Sequence, residues 1–387
     1  MIKNKKTFCI HFFITFIISI AYALPLYIQS SFLEQFSGIK YVGLYITCAT
    51  ILSLLSIMIF PQFIKKYSNY RVMLFMLLLY IVDTFLLVFA QHPLTVLLFF
   101  ALHYASITLL GINLDIVLED ISSSKHIGKT RTLHLTVVNT AILLGPLLMG
   151  KIVGTENRYA LPYAISSFLM IIAFLTLFIF RKNLNDHVRY RRRHFVELID
   201  SLNKNSNLMK VFGLSFILKF FFAIMVIYMP VYLHQYMGFS WGTIGLIFTF
   251  MLTPFVFLEI PAGNLADKFL GEKELMVLGI TLMSVFTFVI FLMDSRNAVI
   301  WALVLFLTRV GAALLESMHE VYFFKIVKKE DIDLINLFRD TNQAGWLVGS
   351  VIAVIVLKLY PIQYLFLFLA FAVFLSLYPA ITLKDTK

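Results

Sequence analysis

Apolar stretches long enough to cross a lipid bilayer follow one another along the whole chain. A transmembrane helix needs about 20 mostly apolar residues, and 60% of the 387 residues are hydrophobic while only 14% are charged. Soluble domains have about 25% charged residues. We therefore predict an all-α membrane protein with twelve transmembrane helices, numbered here as spans 1–12, at roughly residues 8–29, 41–62, 71–90, 94–118, 132–154, 159–180, 209–236, 241–264, 273–293, 298–325, 334–358 and 361–383.

Residues 181–208 form the only long polar connection between these spans, and they divide the chain into two sets of six. The predicted organisation is therefore an N-terminal six-helix bundle at 1–180, a linker at 181–208 and a C-terminal six-helix bundle at 209–387. In the linker, Arg191, Arg192 and Arg193 precede apolar residues at helical spacing. That pattern indicates a short amphipathic helix that tethers the two halves on anionic lipid headgroups.

The distribution of lysine and arginine predicts the orientation in the membrane. With the N-terminus inside, the inner segments hold 25 of the 32 basic residues and the outer loops hold five. Cytoplasmic loops are the ones enriched in Lys and Arg. We therefore expect both termini in the cytoplasm and the protein in the cell membrane, plasma or inner. The net charge of +11 then reflects topology and requires no nucleic-acid partner.

The N-terminus allows two interpretations. Lys3, Lys5 and Lys6 precede an apolar run that ends in Ala21-Tyr22-Ala23, which resembles a cleavable signal peptide. Cleavage would leave eleven spans, whereas a retained first helix that bends at Pro25 keeps two sets of six. We favour the retained helix. The two cysteines lie within apolar runs, which argues against a disulfide framework, and we expect neither a metal nor a cofactor.

The connection between spans 8 and 9 carries a motif of fixed spacing, within "EIPAGNLADKFLGEKELMVLG". It resembles G-x-L-A-D-K/R-x-G-R/K-K/R, the signature loop of the major facilitator superfamily. One extra residue, Leu270, precedes the second glycine, and Glu272 stands at a position that is usually basic. The corresponding residues are Gly263, Leu265, Ala266, Asp267, Lys268, Gly271 and Lys273.

The residue types in this motif suit a latch at the cytoplasmic surface. Gly263 allows two helices to approach closely, and Asp267 at a helix end can cap the N-terminus of a neighbouring helix. Glu259 lies a little more than two turns before Asp267 and is expected in the same network. We therefore predict a cytoplasmic gate formed by Glu259, Gly263, Asp267, Lys268, Gly271 and Lys273.

Span 5 contains a second, partial resemblance, in "NTAILLGPLLMG". Gly145, Pro146 and Gly150 have the spacing of a Gly-Pro motif common in exporters of the superfamily, although Ala141 and Met149 replace two of its glycines. Small residues and a proline bend that serve helix packing alone explain the pattern equally well.

The resemblance to the superfamily covers the whole chain, and it implies two six-helix bundles that rock about a site at the middle of the membrane. Each bundle is expected to be an inverted repeat of three plus three helices. Spans 1, 4, 7 and 10 are then expected to line the central cavity. The implied protein is a monomeric secondary transporter in the lipid bilayer that moves a small molecule, driven by the proton gradient.

Span 10 carries charges in "TRVGAALLESMHEVYFFK". At 100° per residue, Arg309, Glu316 and Glu320 share one face of the helix, whereas His319 points away. Lys219 on span 7 lies at about the same depth as Glu316, and a charge inside the membrane is much less costly when paired. We therefore predict an ion pair between Lys219 and Glu316. A static bridge that only holds spans 7 and 10 together is the alternative.

On span 4, His103, Ser106 and Asn113 fall on one side of the helix, and Asp115 lies away from them. A histidine in a cavity can titrate near neutral pH, but a single histidine can equally serve as a hydrogen-bonding partner of the backbone. We predict that these three residues line the cavity. Asp83 on span 3 and Asp115 receive no role from the sequence.

The sequence favours proton-coupled export of an amphipathic compound. Glu316 would exchange a proton against its basic partners Lys219 and Arg309, with Glu320 as a relay toward the cytoplasm. Phe- and Met-rich spans suit an apolar substrate. Uptake of a sugar, an organic anion or another metabolite is the second interpretation. A membrane-embedded enzyme or a non-transporting membrane protein remains as a different class, although the chain lacks the His-rich or Asp-rich cytosolic motif expected of such an enzyme.

Overall fold

The computed structural model describes residues 5–122, 127–180, 205–266, 271–327 and 332–384. These residues form helices joined by short turns. The α-helices are α1 Lys5–Leu26, α2 Gln29–Ser37, α3 Ile39–Tyr67, α4 Asn69–Phe89, α5 Pro93–Ile121, α6 Ile127–Val153, α7 Ala160–Ile179, α8 Ser206–Val231, α9 Trp241–Leu252, α10 Pro254–Phe257, α11 Glu259–Leu265, α12 Glu272–Leu292, α13 Ala298–Ile326, α14 Ile332–Leu359, α15 Gln363–Leu375 and α16 Leu377–Ile381. A π-helical turn, Tyr232–Tyr236, continues α8.

Eleven helices within the described ranges are long and apolar enough to cross a membrane, and a shorter apolar stretch, Trp241–Phe257, stands at the place of predicted span 8. Large apolar side chains such as Phe257 and Tyr378 are exposed on the outer faces of these helices. Such surface suits hydrocarbon and not water. The all-α membrane fold predicted from the sequence is therefore confirmed.

Span 8 differs from its prediction, because the expected continuous helix at 241–264 is interrupted at Thr253 and Leu258. Pro254 has no N–H group and cannot donate to the carbonyl of Phe250. That carbonyl instead accepts the amide of Thr253 at 3.2 Å and the Thr253 hydroxyl at 2.8 Å. Local capping by one threonine therefore compensates for the proline.

The predicted bend at Pro25 takes the form of a helix end. α1 ends at Leu26, one residue after the proline, and α2 begins at Gln29. The amide of Ile28 donates to the carbonyl of Pro25 at 3.1 Å, which closes the turn between the two helices. The amphipathic helix predicted in the linker lies outside the described residues.

The chain divides into two compact units. The first comprises Met1–Tyr190 with Ser240–Leu246, and the second comprises Arg191–Phe239 with Ile247–Lys387. The start of α9 therefore groups with the first unit. In that unit, aliphatic residues of α1, α4, α5 and α7 form the main core, represented by Ile14, Leu77, Leu110 and Met170.

The core of the second unit is rich in aromatic rings and close helix contacts. Phe323 of α13 and Phe338 of α14 stack with ring centroids 4.0 Å apart. Gly279 of α12 and Gly311 of α13 face each other, so that a Cβ built on Gly279 would stand 2.6 Å from the carbonyl oxygen of Gly311. Only glycine allows two helix backbones to come so close.

Candidate functional site

Lys219 of α8 and Glu316 of α13 form an ion pair inside the second unit. Lys219 Nζ donates to Glu316 Oε1 at 2.6 Å. The two side chains are 19% and 26% exposed, so the pair lies mostly within the apolar interior while keeping some access to its surroundings. The ion pair predicted from the depth of the two residues is present. Pairing lowers the cost of holding these two charges in an apolar interior.

Arg309 lies near this pair, and its guanidinium group and the Lys219 ammonium group are both close to one aromatic ring. Its guanidinium carbon is 5.1 Å from the centroid of Phe221 and 5.7 Å from that of Phe222. Lys219 Nζ is 5.3 Å from the same Phe222 centroid. The electron-rich face of an aromatic ring attracts cations at such distances. Phe222 therefore contacts both basic side chains of the site, a role that the sequence did not reveal.

The other polar residues of α13 differ in burial. Glu320, expected on the face of Arg309 and Glu316, is exposed, whereas Arg309 is buried to 1% exposure. His319 is buried, and its Nδ1 lies 2.8 Å from the carbonyl oxygen of Leu315. Its ring packs at 5.4 Å from Phe338. These contacts give His319 a place in helix packing.

In the first unit, Ser106 of α5 contacts the carboxylate of Asp83 in α4, and His103 of α5 contacts the hydroxyl of the neighbouring Thr84. The Ser106 hydroxyl donates to Asp83 Oδ2 at 3.0 Å, and His103 Nδ1 lies 2.8 Å from Thr84 Oγ1. Thr84 in turn donates to Asp83 Oδ1 at 3.1 Å. The structure thus joins two predicted residues to Asp83 and to Thr84, which the sequence did not place in a site.

Asn113 does not share these contacts. Its side-chain amide donates to the carbonyl of Leu109 at 3.0 Å in its own helix, and its backbone carbonyl accepts the Asn69 amide at 3.2 Å. Asn113 therefore joins α5 to the start of α4. The common face with His103 and Ser106 that was expected does not bring the three side chains into one hydrogen-bonded group.

The predicted cytoplasmic gate is only partly within the described residues. Asp267 and Lys268 lie outside them, and of Glu259 only the helical backbone is described, in α11. No described atom lies within 4 Å of a Cβ built on Gly263, so the close helix packing expected at that glycine is not found there.

The second glycine of the motif, Gly271, has a φ of +95° and immediately precedes α12, in which Lys273 is the second residue. A φ in this range strains any residue with a side chain. The carboxylate of Glu272, at the position that is usually basic, is buried and forms an ion pair with Lys325 of α13. The unusual acidic residue therefore has a cationic partner at the end of the neighbouring helix.

The Gly-Pro motif of α6 serves close packing within the first unit. A Cβ built on Gly145 would stand 2.6 Å from the Cβ of Ala23, and one built on Gly150 would stand 2.5 Å from the carbonyl oxygen of Trp241. The helix continues through Pro146 without interruption. These contacts agree with the predicted role of Gly145 and Gly150 in helix packing.

The described residues contain no group of three or more His, Cys, Asp or Glu side chains placed to hold a metal ion. The polar contacts found are ion pairs and hydrogen bonds between ionisable side chains and hydroxyl groups. Glu316 with Lys219 and Asp83 with His103 bring ionisable side chains together inside helices that are apolar enough to cross a membrane.

Solved structures with the same fold are found among transporters. The nucleoside transporter NupG is similar with a TM-score of 0.78 and 13% identity, over 97% of this chain and 99% of that one. The POT family transporter PepTSo is similar with a TM-score of 0.78 and 11% identity, over 97% of each chain. At such identities the likeness concerns the fold. No curated protein sequence matches the chain.

The sequence model described as Major Facilitator Superfamily matches residues 7–248 and 211–386. The two matched ranges together include nearly the whole chain. The match to this model, together with the loop motif and the twelve apolar segments, shows that the chain belongs to the major facilitator superfamily.

Proposed function

We propose that the protein is a proton-coupled secondary transporter that exports an amphipathic small molecule. Membership of the major facilitator superfamily supports a role in membrane transport. The observation that supports the coupling is the 2.6 Å ion pair between Lys219 and Glu316 inside the second unit. Ionisable side chains within transmembrane helices mark ion and proton pathways in transporters.

The proposed exchange involves one proton and one salt bridge. In one state Glu316 is ionised and accepts the hydrogen bond of Lys219. When a proton binds to Glu316 Oε1, the carboxyl group becomes neutral and Lys219 loses its counter-charge. Lys219 is then the cation that a substrate meets, with Arg309 close by, and release of the substrate restores the pair. Exposed Glu320, lower on α13, would pass the proton toward the cytoplasm.

The surroundings of the pair favour a substrate with apolar surface. Phe221 and Met225 of α8 are buried within the second unit and do not face lipid. Both basic side chains lie close to the ring of Phe222, at 5.3 Å and 5.7 Å from its centroid. An aromatic ring beside two basic side chains suits a compound that combines an apolar body with a polar group.

A second candidate substrate class is an organic anion. Two cations, Lys219 and Arg309, contact one ring, while one carboxylate, Glu316, is paired with Lys219. A substrate carboxylate could take the place of Glu316 on Lys219 once Glu316 is protonated. Uptake of this anion, of a sugar or of another metabolite would use the same exchange in the opposite direction. Enzymatic or non-transporting roles are disfavoured by the family.

A ligand screen and a vesicle assay test the proposal together. Thermal shifts of the purified protein are measured with amphipathic drugs, sugars, nucleosides and organic acids, because a bound ligand raises the melting temperature. The most stabilising compound is then added to vesicles containing the protein and a pH-sensitive dye. We expect substrate-driven proton movement in the wild type and its loss in Glu316→Gln.

The matched control is Glu156→Gln, which removes an exposed glutamate that bonds Arg158 at 2.6 Å outside the spans. This variant should move protons as the wild type does. Proton movement that is unchanged in Glu316→Gln would overturn the assignment of Glu316. Stabilisation by sugars alone, with influx down the proton gradient, would favour the uptake alternative.

The proposed setting is a monomer in the cell membrane with both termini in the cytoplasm. The support is the excess of lysine and arginine in the segments assigned to the inside. A reporter that fluoresces only in the cytoplasm, fused after Lys387, tests the orientation. A fluorescent fusion is expected, and a dark but full-length fusion would contradict the assigned topology.

A further inference from the structure

The first unit contains a buried acidic residue that the exchange at Glu316 does not use. Asp83 lies in α4, within the apolar segment Asn69–Phe89, and is 2% exposed. An ionised carboxylate in such a place is costly unless a cation or strong hydrogen-bond donors compensate it. None of the ion pairs found among the described residues includes Asp83.

The partners of Asp83 are two hydroxyl groups, each with a single hydrogen. Thr84 Oγ1 lies 3.1 Å from Asp83 Oδ1, and Ser106 Oγ lies 3.0 Å from Asp83 Oδ2. Ser106 also lies 2.8 Å from the carbonyl oxygen of Leu102, so its hydrogen has two competing acceptors. Thr84 Oγ1 is 2.8 Å from His103 Nδ1. Thr84 therefore bridges the carboxyl group and the imidazole.

Two arrangements of hydrogens satisfy these contacts. With Asp83 ionised, Thr84 and Ser106 donate to the carboxylate, and His103 carries its hydrogen on Nδ1 and donates to Thr84. With a proton on Asp83, the carboxyl donates to Thr84 or to Ser106. When the carboxyl donates to Thr84, the hydroxyl of Thr84 turns and donates to His103 Nδ1. The heavy-atom geometry is the same in both arrangements, which differ by the proton on Asp83 and by the ring nitrogen of His103 that carries hydrogen.

Among the described residues, the titratable groups found beside the cluster are phenols. The His103 ring lies 5.5 Å from that of Tyr163 and 4.6 Å from that of Tyr80 on α4, and Tyr22 lies near Tyr80. Tyr80 contacts the Ser166 hydroxyl at 2.7 Å, and Ser166 donates to the carbonyl of Ala21 at 2.6 Å. Because the hydrogen of Ser166 is used there, Tyr80 donates to Ser166 and has no hydrogen left for Asp83.

We propose that Asp83 and His103, bridged by the hydroxyl of Thr84, form a second proton-binding site, located in the first unit. One proton leaves the Asp83 carboxyl for Thr84 Oγ1 while the hydrogen of Thr84 passes to His103 Nδ1. The Thr84 hydroxyl therefore carries one hydrogen before and after the transfer. The carboxyl group becomes a negatively charged carboxylate, and the imidazole becomes a positively charged imidazolium. The site deepens the proposed proton coupling, but its own test is spectroscopic and does not depend on Glu316.

Infrared spectroscopy of the purified protein in lipid bilayers tests the carboxyl group directly. We expect a pH-dependent band from the C=O stretch of a protonated, buried carboxylic acid, and its loss in Asp83→Asn. Glu316→Gln is the matched control, because a band that belongs to Asp83 survives it. Loss of the band in Glu316→Gln with retention in Asp83→Asn would overturn the proposal.

Nuclear magnetic resonance of ¹⁵N-labelled histidine tests the bridge. The His103 signal, assigned by its absence in His103→Gln, should change with pH together with the infrared band of Asp83. In Thr84→Val, which keeps the shape but removes the hydroxyl, this joint change should be lost, and Thr84→Ser should restore it. A His103 signal that responds to pH alike in wild type, Asp83→Asn and Thr84→Val would contradict the bridge, and the folded Thr84→Ser variant controls for structural damage.

Discussion

Gly345 of α14 lies against the backbone of Lys219 in α8. A Cβ built on Gly345 would stand 2.7 Å from the Cβ of Lys219 and 2.7 Å from the amide nitrogen of Phe220. Real Cβ atoms do not approach other atoms so closely, so the glycine is required for this contact. The helix that carries the basic residue of the ion pair is thus held in place by a glycine of a helix more than a hundred residues away in sequence.

Gly345→Ala should therefore disturb the ion pair without touching either charge. The added methyl group must push α14 away from Lys219, which we expect to cost about 1–3 kcal/mol of stability. It should also reduce proton movement in the vesicle assay. Gly213→Ala is the matched control, because Gly213 lies in the same α8 with no atom within 4 Å of a Cβ built there. An equal effect of both variants on the melting temperature would contradict the specific role of the Gly345 contact.

Removal of one member of the Lys219–Glu316 pair should be worse than removal of both. Lys219→Met leaves a partly buried carboxylate alone, and Glu316→Gln leaves the ammonium group alone, whereas the double variant leaves neither. We expect thermal unfolding of the wild type, the two single variants and the double variant to give a coupling free energy of about 0.5–3 kcal/mol between the two changes. Losses that simply add would show that the two charges do not stabilise each other.

Phe222→Leu should weaken the site through the loss of a ring that two cations share. Leucine keeps the apolar character but has no aromatic face for Lys219 or Arg309, and each lost contact is worth about 0.5–2 kcal/mol. Affinity for the compound found in the thermal-shift screen should fall as well. The control is Phe168→Leu, since Phe168 is exposed on the outer surface of α7. Unchanged affinity in Phe222→Leu would remove the ring from the substrate site.

Gly311→Ala should separate α12 from α13. A Cβ at this position would collide with the carbonyl oxygen of Gly279 and would stand 2.8 Å from the amide nitrogen of Met283. Because backbone atoms of a packed helix cannot move aside easily, we expect a loss of about 1–3 kcal/mol in unfolding experiments. Gly111→Ala in α5, where nothing lies within 4 Å, should be neutral. A stable Gly311→Ala variant would contradict the close contact.

The predictions that rest on local sequence were largely confirmed. Segments of about 20 apolar residues became helices, because backbone groups in a bilayer must bond within their own segment. The exception is α9–α11, where Pro254 interrupts the helix. The pair of Lys219 and Glu316 was found by counting depth along two helices, since a charge in an apolar region needs a partner near its own level.

The Asp83 cluster was not found by the same counting. Ser106 lies about twice as far as Asp83 from the turn that joins α4 and α5, so residue numbers alone suggest different depths. The two helices are offset along their axes, and the offset brings Asp83, Thr84, His103 and Ser106 together. The contact of Phe222 with both basic residues was missed for a similar reason, because the rotation of α8 decides which of three consecutive phenylalanines meets them.

The sequence by itself determined the class, the family, most of the spans and the need for charged residues inside the membrane to be paired. These follow from composition and from hydrogen bonding within single segments. The tertiary structure alone decided which side chains meet, because the offset, rotation and approach of neighbouring helices depend on contacts between distant small residues such as Gly279, Gly311 and Gly345. Those contacts set the geometry of Lys219 with Glu316 and of the helices around them, and no local pattern encodes them.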